Sequence, residues 1–374
     1  MSDFFSYTRA ELEDFLTSTL SLPRYRADQL FQWIYQKRVF KPEQWTNIGK
    51  HDRARLADAF TFPRLEPKYR ALSSDGTRKY LFSVGSEDEV ESVMIKQPAR
   101  MTLCVSSQVG CALGCKFCQT GTMGLKRHLS QSEILSQVMG VVVDSTQNFQ
   151  DMFSNMVFMG MGEPFHNYDG VTRAISILND VHGLALPSRK ITVSTAGLVP
   201  AIKRFFEEGV GANLAISLNA TTNKVRDEIM PINQRYPLEE LLGTLRSIDI
   251  PPRKRITMEY VMLRGINDTE EDLNRLPSLL KGIPCKINLI PYNFNTGLGF
   301  DAPTETTLHR WQKALMRHNF VVTIRWSKGR DIDAACGQLV TKSRREKRQH
   351  KVDAPPSVQG KAPESSSLSV LNSR

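Results

Sequence analysis

From residue 100 to about residue 326, short apolar runs alternate with longer amphipathic ones. TLCVSS, NMVFMG, KITVST, NLAIS, TMEYVML, KINLIPY and VVTIRW read as strands, and the stretches between them carry apolar residues at helical spacing. One of these, SQSEILSQVMGVVV, opens on a capping box of Ser130 and Glu133. Alternation on this scale makes consecutive strands parallel, because each return crosses over through a helix. Six or seven such units over roughly 240 residues predict an α/β barrel or partial barrel whose chemistry sits on loops after the strands' C-terminal ends.

The residues able to do chemistry fall at those ends. A cysteine cluster follows TLCVSS, Met-Gly-Glu-Pro follows NMVF, Ser194 ends KITVS, Ser217 ends NLAIS and Asn293 follows KINLIPY. Upstream, residues 1–66 read as a helical module: Thr8 and Glu11 form a capping box, and RADQLFQWIYQK has helical periodicity. Residues 21–55 hold eight Lys or Arg against three Asp or Glu, with Tyr25, Phe31, Trp33, Tyr35 and Trp45 interleaved, which suits both an RNA grip and a helical core. Residues 67–99 change to PKYRAL, RKYLFSV and VESVMIK, a small antiparallel β extension. The net charge is +10, and half of it lies beyond residue 341, where KSRREKRQHK gives way to a Pro/Ser-rich end; residues 343–374 read as a disordered basic tail.

Four of the six cysteines lie between residues 104 and 118. The start of the chain lacks the pattern of a secretory signal, and no apolar run approaches the 18 or so residues of a membrane span, so a cytoplasmic setting is expected. There the cysteines should be thiols or metal ligands, not structural disulfides. Cys111, Cys115 and Cys118 form Cys-x3-Cys-x2-Cys, with Gly110 and Gly114 giving the loop its turns. Structural zinc would need a fourth ligand, for which His128 and Cys104 are the local candidates. A four-iron cluster usually takes four cysteines, and three would leave one iron open to another ligand.

That loop after the first barrel strand, with Phe117 before the last cysteine, resembles the radical S-adenosylmethionine (SAM) superfamily. LCVSSQVGCALGCKFC, VFMGMGEPFHNY, ITVSTAGLVP, AISLNATT, RDEIMPINQRYPL, LIPYN and DIDAACGQL together resemble the RNA adenine C2-methyltransferases that modify 23S ribosomal RNA and, in many members, transfer RNA. The resemblance covers residues 5–341. It implies a radical SAM partial (β/α)6 barrel, residues 100–342, behind the helical module and β extension. It also implies one 4Fe-4S cluster on Cys111, Cys115 and Cys118, two SAM molecules per turnover, a one-electron reductant such as flavodoxin or ferredoxin, and a monomer without membrane attachment.

Carbon 2 of adenine lies between two ring nitrogens and is too electron-poor to attack a SAM methyl, so radical chemistry is the expected route. In the family one SAM methylates a cysteine, a second is cleaved reductively, and the resulting radical takes hydrogen from the methylated sulfur. The methylene radical then adds to the base. Cys336 matches the methyl carrier and Cys104 the thiol that resolves the protein–RNA adduct through a transient disulfide. Glu91 matches the proton acceptor. Gly162, Glu163 and Pro164 match the element that binds the SAM amino group, and Ser194, Ser217, Leu218, Asn219 and Asn293 match other SAM contacts. Many members carry His where Asn219 stands, which leaves a backbone contact as its role. Cys285 matches nothing catalytic. A C8-methylating paralogue shares the five cysteines, and a non-enzymatic iron-sulfur RNA-binding protein would leave Cys104, Cys336 and the Gly-Glu-Pro element without a purpose.

Overall fold

In the computed structural model, which describes residues 1–63, 66–251 and 253–340, the seven strand stretches form one parallel array. The predicted basic tail at 343–374 lies outside the described residues. The helical module consists of α1 (Arg9–Ser18), α2 (Tyr25–Phe31), which runs on into a π-helical turn, and α3 (Lys50–Ala59). Both halves of the Thr8/Glu11 capping box are made. A parallel pair of two-residue strands, β1 (Ser2–Asp3) and β2 (Phe60–Thr61), ties the module's ends. Phe31, Trp33, Tyr35 and Trp45 are buried in its core, whereas Tyr25 is exposed. Glu11 accepts two hydrogen bonds from Arg173, and Arg9 pairs with Asp180 at 2.9 Å, so the module is fastened to the barrel's flank.

Strands β3 (Pro67–Leu72), β4 (Arg78–Val84) and β5 (Asp88–Gln97) are antiparallel and join the main sheet through β6 (Arg100–Cys104). Next comes a hairpin of β7 (Gln108–Cys111) and β8 (Gly124–His128), which encloses the cysteine loop. From there α4 (Gln131–Asp144), β9 (Asn155–Phe158), α5 (Tyr168–Asn179), β10 (Ile191–Thr195), α6 (Val199–Glu207) and β11 (Asn213–Ser217) alternate. The last units are α7 (Asn223–Ile229) with α8 (Leu238–Ser247), β12 (Ile256–Met262), α9 (Glu270–Leu279), β13 (Cys285–Pro291), α10 (Glu305–Arg317) and β14 (Val322–Ile324). The sheet order is β14-β13-β12-β11-β10-β9-β6-β5-β4-β3, parallel from β14 to β6 and antiparallel beyond.

The sheet is curled. Between β9 and β14 lie five strand spacings, roughly 24 Å if flat. Yet Arg325, just past β14, places Nη1 3.5 Å from the sulfur of Met159, just past β9. Closure stays partial, because β14 does not pair with β3–β6. The chain after β14 fills that gap: Gly329 N–H donates to Asp75, Ser73 Oγ to Asp331 at 2.6 Å, Lys79 Nζ to the Asp333 carbonyl, and Val340 N–H to Glu91 at 3.0 Å. The β extension is thus the wall on which the segment carrying Cys336 is laid.

Candidate active site

Cys111 ends β7, and Cys115 and Cys118 follow in the loop that β8 closes. Gly110 makes the hairpin possible: its φ is +78°, and a Cβ there would collide with the Gly124 carbonyl. All three cysteines line a cavity of about 170 Å³ at the C-terminal ends of the barrel strands, together with Gly162, Glu163, Pro164, Ser194, Ser217, Asn219, Asn293 and Cys336. Burial pushes the Cys111 thiol up to about 12 and raises those of Cys115 and Cys118, and the thiolates would also repel one another. Only a bound cation would make three thiolates favourable here. Three thiols from one Cys-x3-Cys-x2-Cys loop, lining one cavity, are the donor chemistry of a metal–sulfur group with one position left open. His128 hydrogen-bonds Gln108 and stands edge-on to His166, and Cys104 lies on another cavity, so neither zinc candidate joins the three.

Beside the cysteines, Gly162 has φ +101°, and a Cβ would lie 2.5 Å from the Gln108 side chain, whose Oε1 accepts the Glu163 N–H. Glu163 accepts from the N–H groups of Phe165 and Ala196, at 3.0 and 2.9 Å, and Pro164 begins the short turn that supplies the first. Burial nevertheless raises its carboxyl to about 7, so its charge is uncompensated until a cation such as an ammonium arrives. Asn293, which lines the cavity, donates to the Cys336 carbonyl at 3.0 Å and leaves its own buried Oδ1 without a partner. Asn219 sits at φ +57°, a conformation Asn tolerates. Its side chain accepts from Val261 N–H and donates to the Met230 sulfur, and its carbonyl accepts from Asn267 Nδ2 at 2.7 Å, which ties β11 to its neighbours and leaves the backbone N–H for a ligand. Leu218 lies behind the cavity wall, with both backbone groups taken by Glu259 and Arg226.

Cys336 is held between these parts. The Gln119 N–H donates to the Gly337 carbonyl at 2.8 Å and Thr120 Oγ1 to the Leu339 carbonyl at 2.7 Å, so the cysteine loop grips the Cys336 segment directly. Cys336 lines the first cavity and also a second one beneath it, which Cys104 lines as well. Burial, followed by the neighbouring Cys336, pushes the Cys104 thiol up to about 12, against the opposing charge of Arg325. All six cysteines are free thiols, so the expected Cys104–Cys336 disulfide is not formed in this state. Glu91, on β5, is buried, pairs with Lys79 at 3.2 Å, accepts from Val340 N–H and lines neither cavity. Cys285 is buried in β13, away from both.

Comparison with known proteins gives this geometry a family. The radical SAM superfamily model matches residues 105–276, and the ribosomal RNA large subunit methyltransferase N-terminal domain matches residues 2–61. The dual-specificity RNA methyltransferase RlmN of Pelobacter propionicus is 48% identical over 338 residues, 90% of this chain and 95% of that protein. This chain belongs to the RlmN family. The RlmN of Geobacter sulfurreducens is 47% identical over 88% of this chain and 89% of its own length. A radical SAM methyltransferase from Sphaerobacter thermophilus superposes with a TM-score of 0.84 at 39% identity, covering 91% of this chain and 99% of that one. The fold expected from the strand rhythm and the resemblance is therefore the fold present. The family's chemistry uses an iron-sulfur cluster and SAM, and the cavity above has donors for both.

Three further side chains of this RlmN-family site were not singled out by the sequence. Arg226, fully buried, donates to the carbonyls of Leu218, Ala196 and Ser217 and to Asn233 Oδ1, bracing the ends of β10 and β11; burial lowers it to about 10, so it stays charged. It stands in RDEIMPINQRYPL with no local sign of its partners. Glu259, a carboxylate inside the apolar strand TMEYVML, was the better clue: it accepts from Ser194 Oγ at 3.0 Å and pairs with Arg325 at 3.2 Å. Arg226→Met is expected to destabilise the chain by roughly 3 kcal/mol or more, since three buried carbonyls lose a charged donor. Denaturant unfolding of the cluster-free protein measures it, and Arg226→Lys should recover part.

Proposed function

We propose that this RlmN-family chain methylates carbon 2 of an adenine in 23S ribosomal RNA and of an adenine in transfer RNAs, with Cys336 carrying the carbon and Cys104 freeing the product. The observation that carries the reading is the position of Cys336, whose residue borders both the cavity of the three cysteines and the cavity of Cys104. A carrier must meet SAM on one side and the base on the other. When bound on Cys111, Cys115 and Cys118, a 4Fe-4S cluster with one open iron supplies the electron that cleaves SAM. Glu163 holds the cationic amino end, and Ser194, Ser217, Asn293 and the backbone N–H of Asn219 position the rest of SAM, with Leu218 supporting the wall behind them. Two SAM molecules are consumed, one as the methyl source for Cys336 and one as the hydrogen acceptor.

After the methylene radical has added to the base, carbon 2 gives up its proton and the unpaired electron leaves to a one-electron acceptor, a role a cluster held on the three cysteines would supply. Glu91 lines neither cavity and is the proposed final proton acceptor by relay, its bond to Val340 N–H tying it to the segment that carries Cys336. Cys104 then attacks the Cys336 sulfur, the sulfur–carbon bond breaks, and the released carbon takes a proton. The two sulfurs remain as a disulfide that a reductant reopens. Flavodoxin or ferredoxin is the proposed electron donor for a monomeric cytoplasmic enzyme; among the described residues no helix is long and apolar enough to cross a membrane. The test is anaerobic reconstitution with iron and sulfide, followed by SAM, dithionite and protein-free 23S ribosomal RNA or transfer RNA. Nucleoside mass spectrometry should find 2-methyladenosine together with 5'-deoxyadenosine. Methylation at carbon 8, or no 5'-deoxyadenosine, overturns the reading.

A further inference from the structure

Barrel interiors are ordinarily filled by layers of branched apolar side chains. Below the cysteines this one is hollow, with a cavity of about 550 Å³ that extends from Cys104 and Cys336 to the N-terminal ends of the strands. Its wall mixes apolar residues such as Val157, Ala215 and Leu339 with short polar ones: Thr102, Asn155, Thr192, Thr257, Asn288 and Thr323 line it from six strands. Apolar packing there would have been worth several kcal/mol, so the hollow needs a purpose.

The mouth supplies one. Arg100, Arg189, Lys190, Lys286 and Lys328 line it, all exposed or half-exposed, and among the described residues none has a carboxylate partner. The lining holds a single carboxylate, Glu259, which is buried and already paired with Arg325. Five unpaired cations around an opening attract phosphates. Trp326, 43% exposed, also lines the cavity and offers a ring face of the kind on which unpaired bases stack.

We propose that this lower cavity is the entry for the RNA: the target adenine, turned out of its stack, enters from the N-terminal mouth, its flanking phosphates rest on the basic rim, and Trp326 stacks on a base. This rests on the functional reading above and adds the direction of approach. SAM and adenine then reach Cys336 from opposite sides, so neither needs to leave before the other binds. Cys104 lines the lower cavity and not the upper one, which puts the resolving thiol on the side of the adduct. A base that must pass into such a hollow has to come from a single-stranded loop, because a stacked base cannot reach it.

The test uses the reconstituted full chain and a fluorescent RNA stem-loop with an unpaired adenine, with affinity measured by anisotropy across a salt series. The triple variant Arg189→Ala/Lys190→Ala/Lys286→Ala should bind at least tenfold more weakly and lower the slope of log affinity against log salt by roughly 2, at about 0.7 per single-strand phosphate contact. A charge-matched control on the outer helices, Lys203→Ala/Lys224→Ala/Lys313→Ala, should leave the slope unchanged. Trp326→Ala should weaken binding about tenfold and Trp326→Phe should restore most of it. Thermal midpoints and iron content show that each variant has folded. An unchanged slope in the rim variant, an equal loss in the control, or a wild type that does not bind RNA overturns the proposal. A wild type that binds through the rim but makes no 2-methyladenosine instead sinks the functional reading and leaves this site standing.

Discussion

A Cys104→Ala chain given SAM, reductant and RNA is expected to end covalently attached to its substrate. Nothing upstream of the adduct needs Cys104: the upper cavity, with its three cysteines, Glu163 and Cys336, does not include it. Only the last step does, since that step requires a second sulfur beside Cys336, and Cys104 is the cysteine that shares the lower cavity with it. Turnover should fall to zero after one event per chain, and the adduct should migrate as a nuclease-sensitive band on a denaturing gel. Cys336→Ala should give no such band, because no residue then bridges SAM and the base. The double variant should match Cys336→Ala, as the resolving step lies downstream. Peptide mass spectrometry locates the attachment: an adduct on Cys336→Ala would sink the assignment, and one mapped to Cys104 would exchange the two roles. The alanine at 104 replaces a buried thiol at the end of β6, so a stability loss of about 1 kcal/mol is expected and cannot by itself mimic a covalent band.

The parts of the molecule that local chemistry dictates were legible in the sequence. Each of the seven apolar stretches became a strand, β6 or one of β9–β14, and both Ser130/Glu133 and Thr8/Glu11 close as capping boxes, because a period of two and a cap are decided within a few residues. The three cluster cysteines share one cavity for the same reason, since one hairpin holds them all. The hairpin itself was not foreseen: GLKRH is too polar to read as a strand, and β8 pairs only because Gly110 allows the bulge opposite it.

What escaped the sequence depends on closure of the barrel. Arg325, Glu259 and Met159 lie far apart along the chain and meet only because the sheet curls. The same holds for the passage of residues 329–340 across β4 and β5, which places Cys336 beside the cysteine loop and ties Glu91 to Val340. The hollow lumen was hidden for a subtler reason. Thr102, Thr192, Thr257 and Thr323 are β-branched and score as good strand formers whether they face a packed core or an open cavity. Only the directions of their side chains distinguish the two, and those follow from register across six strands.

The cluster cysteines are expected to separate stability from chemistry most sharply. As thiols, Cys111, Cys115 and Cys118 resist ionisation because burial and their mutual repulsion penalise charge, so without metal they act as small apolar groups. Cys118→Ala should therefore cost the cluster-free protein only about 1 kcal/mol in denaturant unfolding. Its effect after reconstitution should be total: with one of three donors gone, the visible iron-sulfur absorbance and bound iron should be lost, and 5'-deoxyadenosine should fall below detection. Cys285→Ala supplies the comparison, for its thiol is likewise buried and pushed up to about 12 by that burial, yet it stands in β13 outside both cavities. It should show the same small stability loss with full iron content and full 5'-deoxyadenosine. A Cys118→Ala chain that keeps its cluster and its SAM cleavage, or a Cys285→Ala chain that loses them, would remove the cysteine loop from the centre of the reaction.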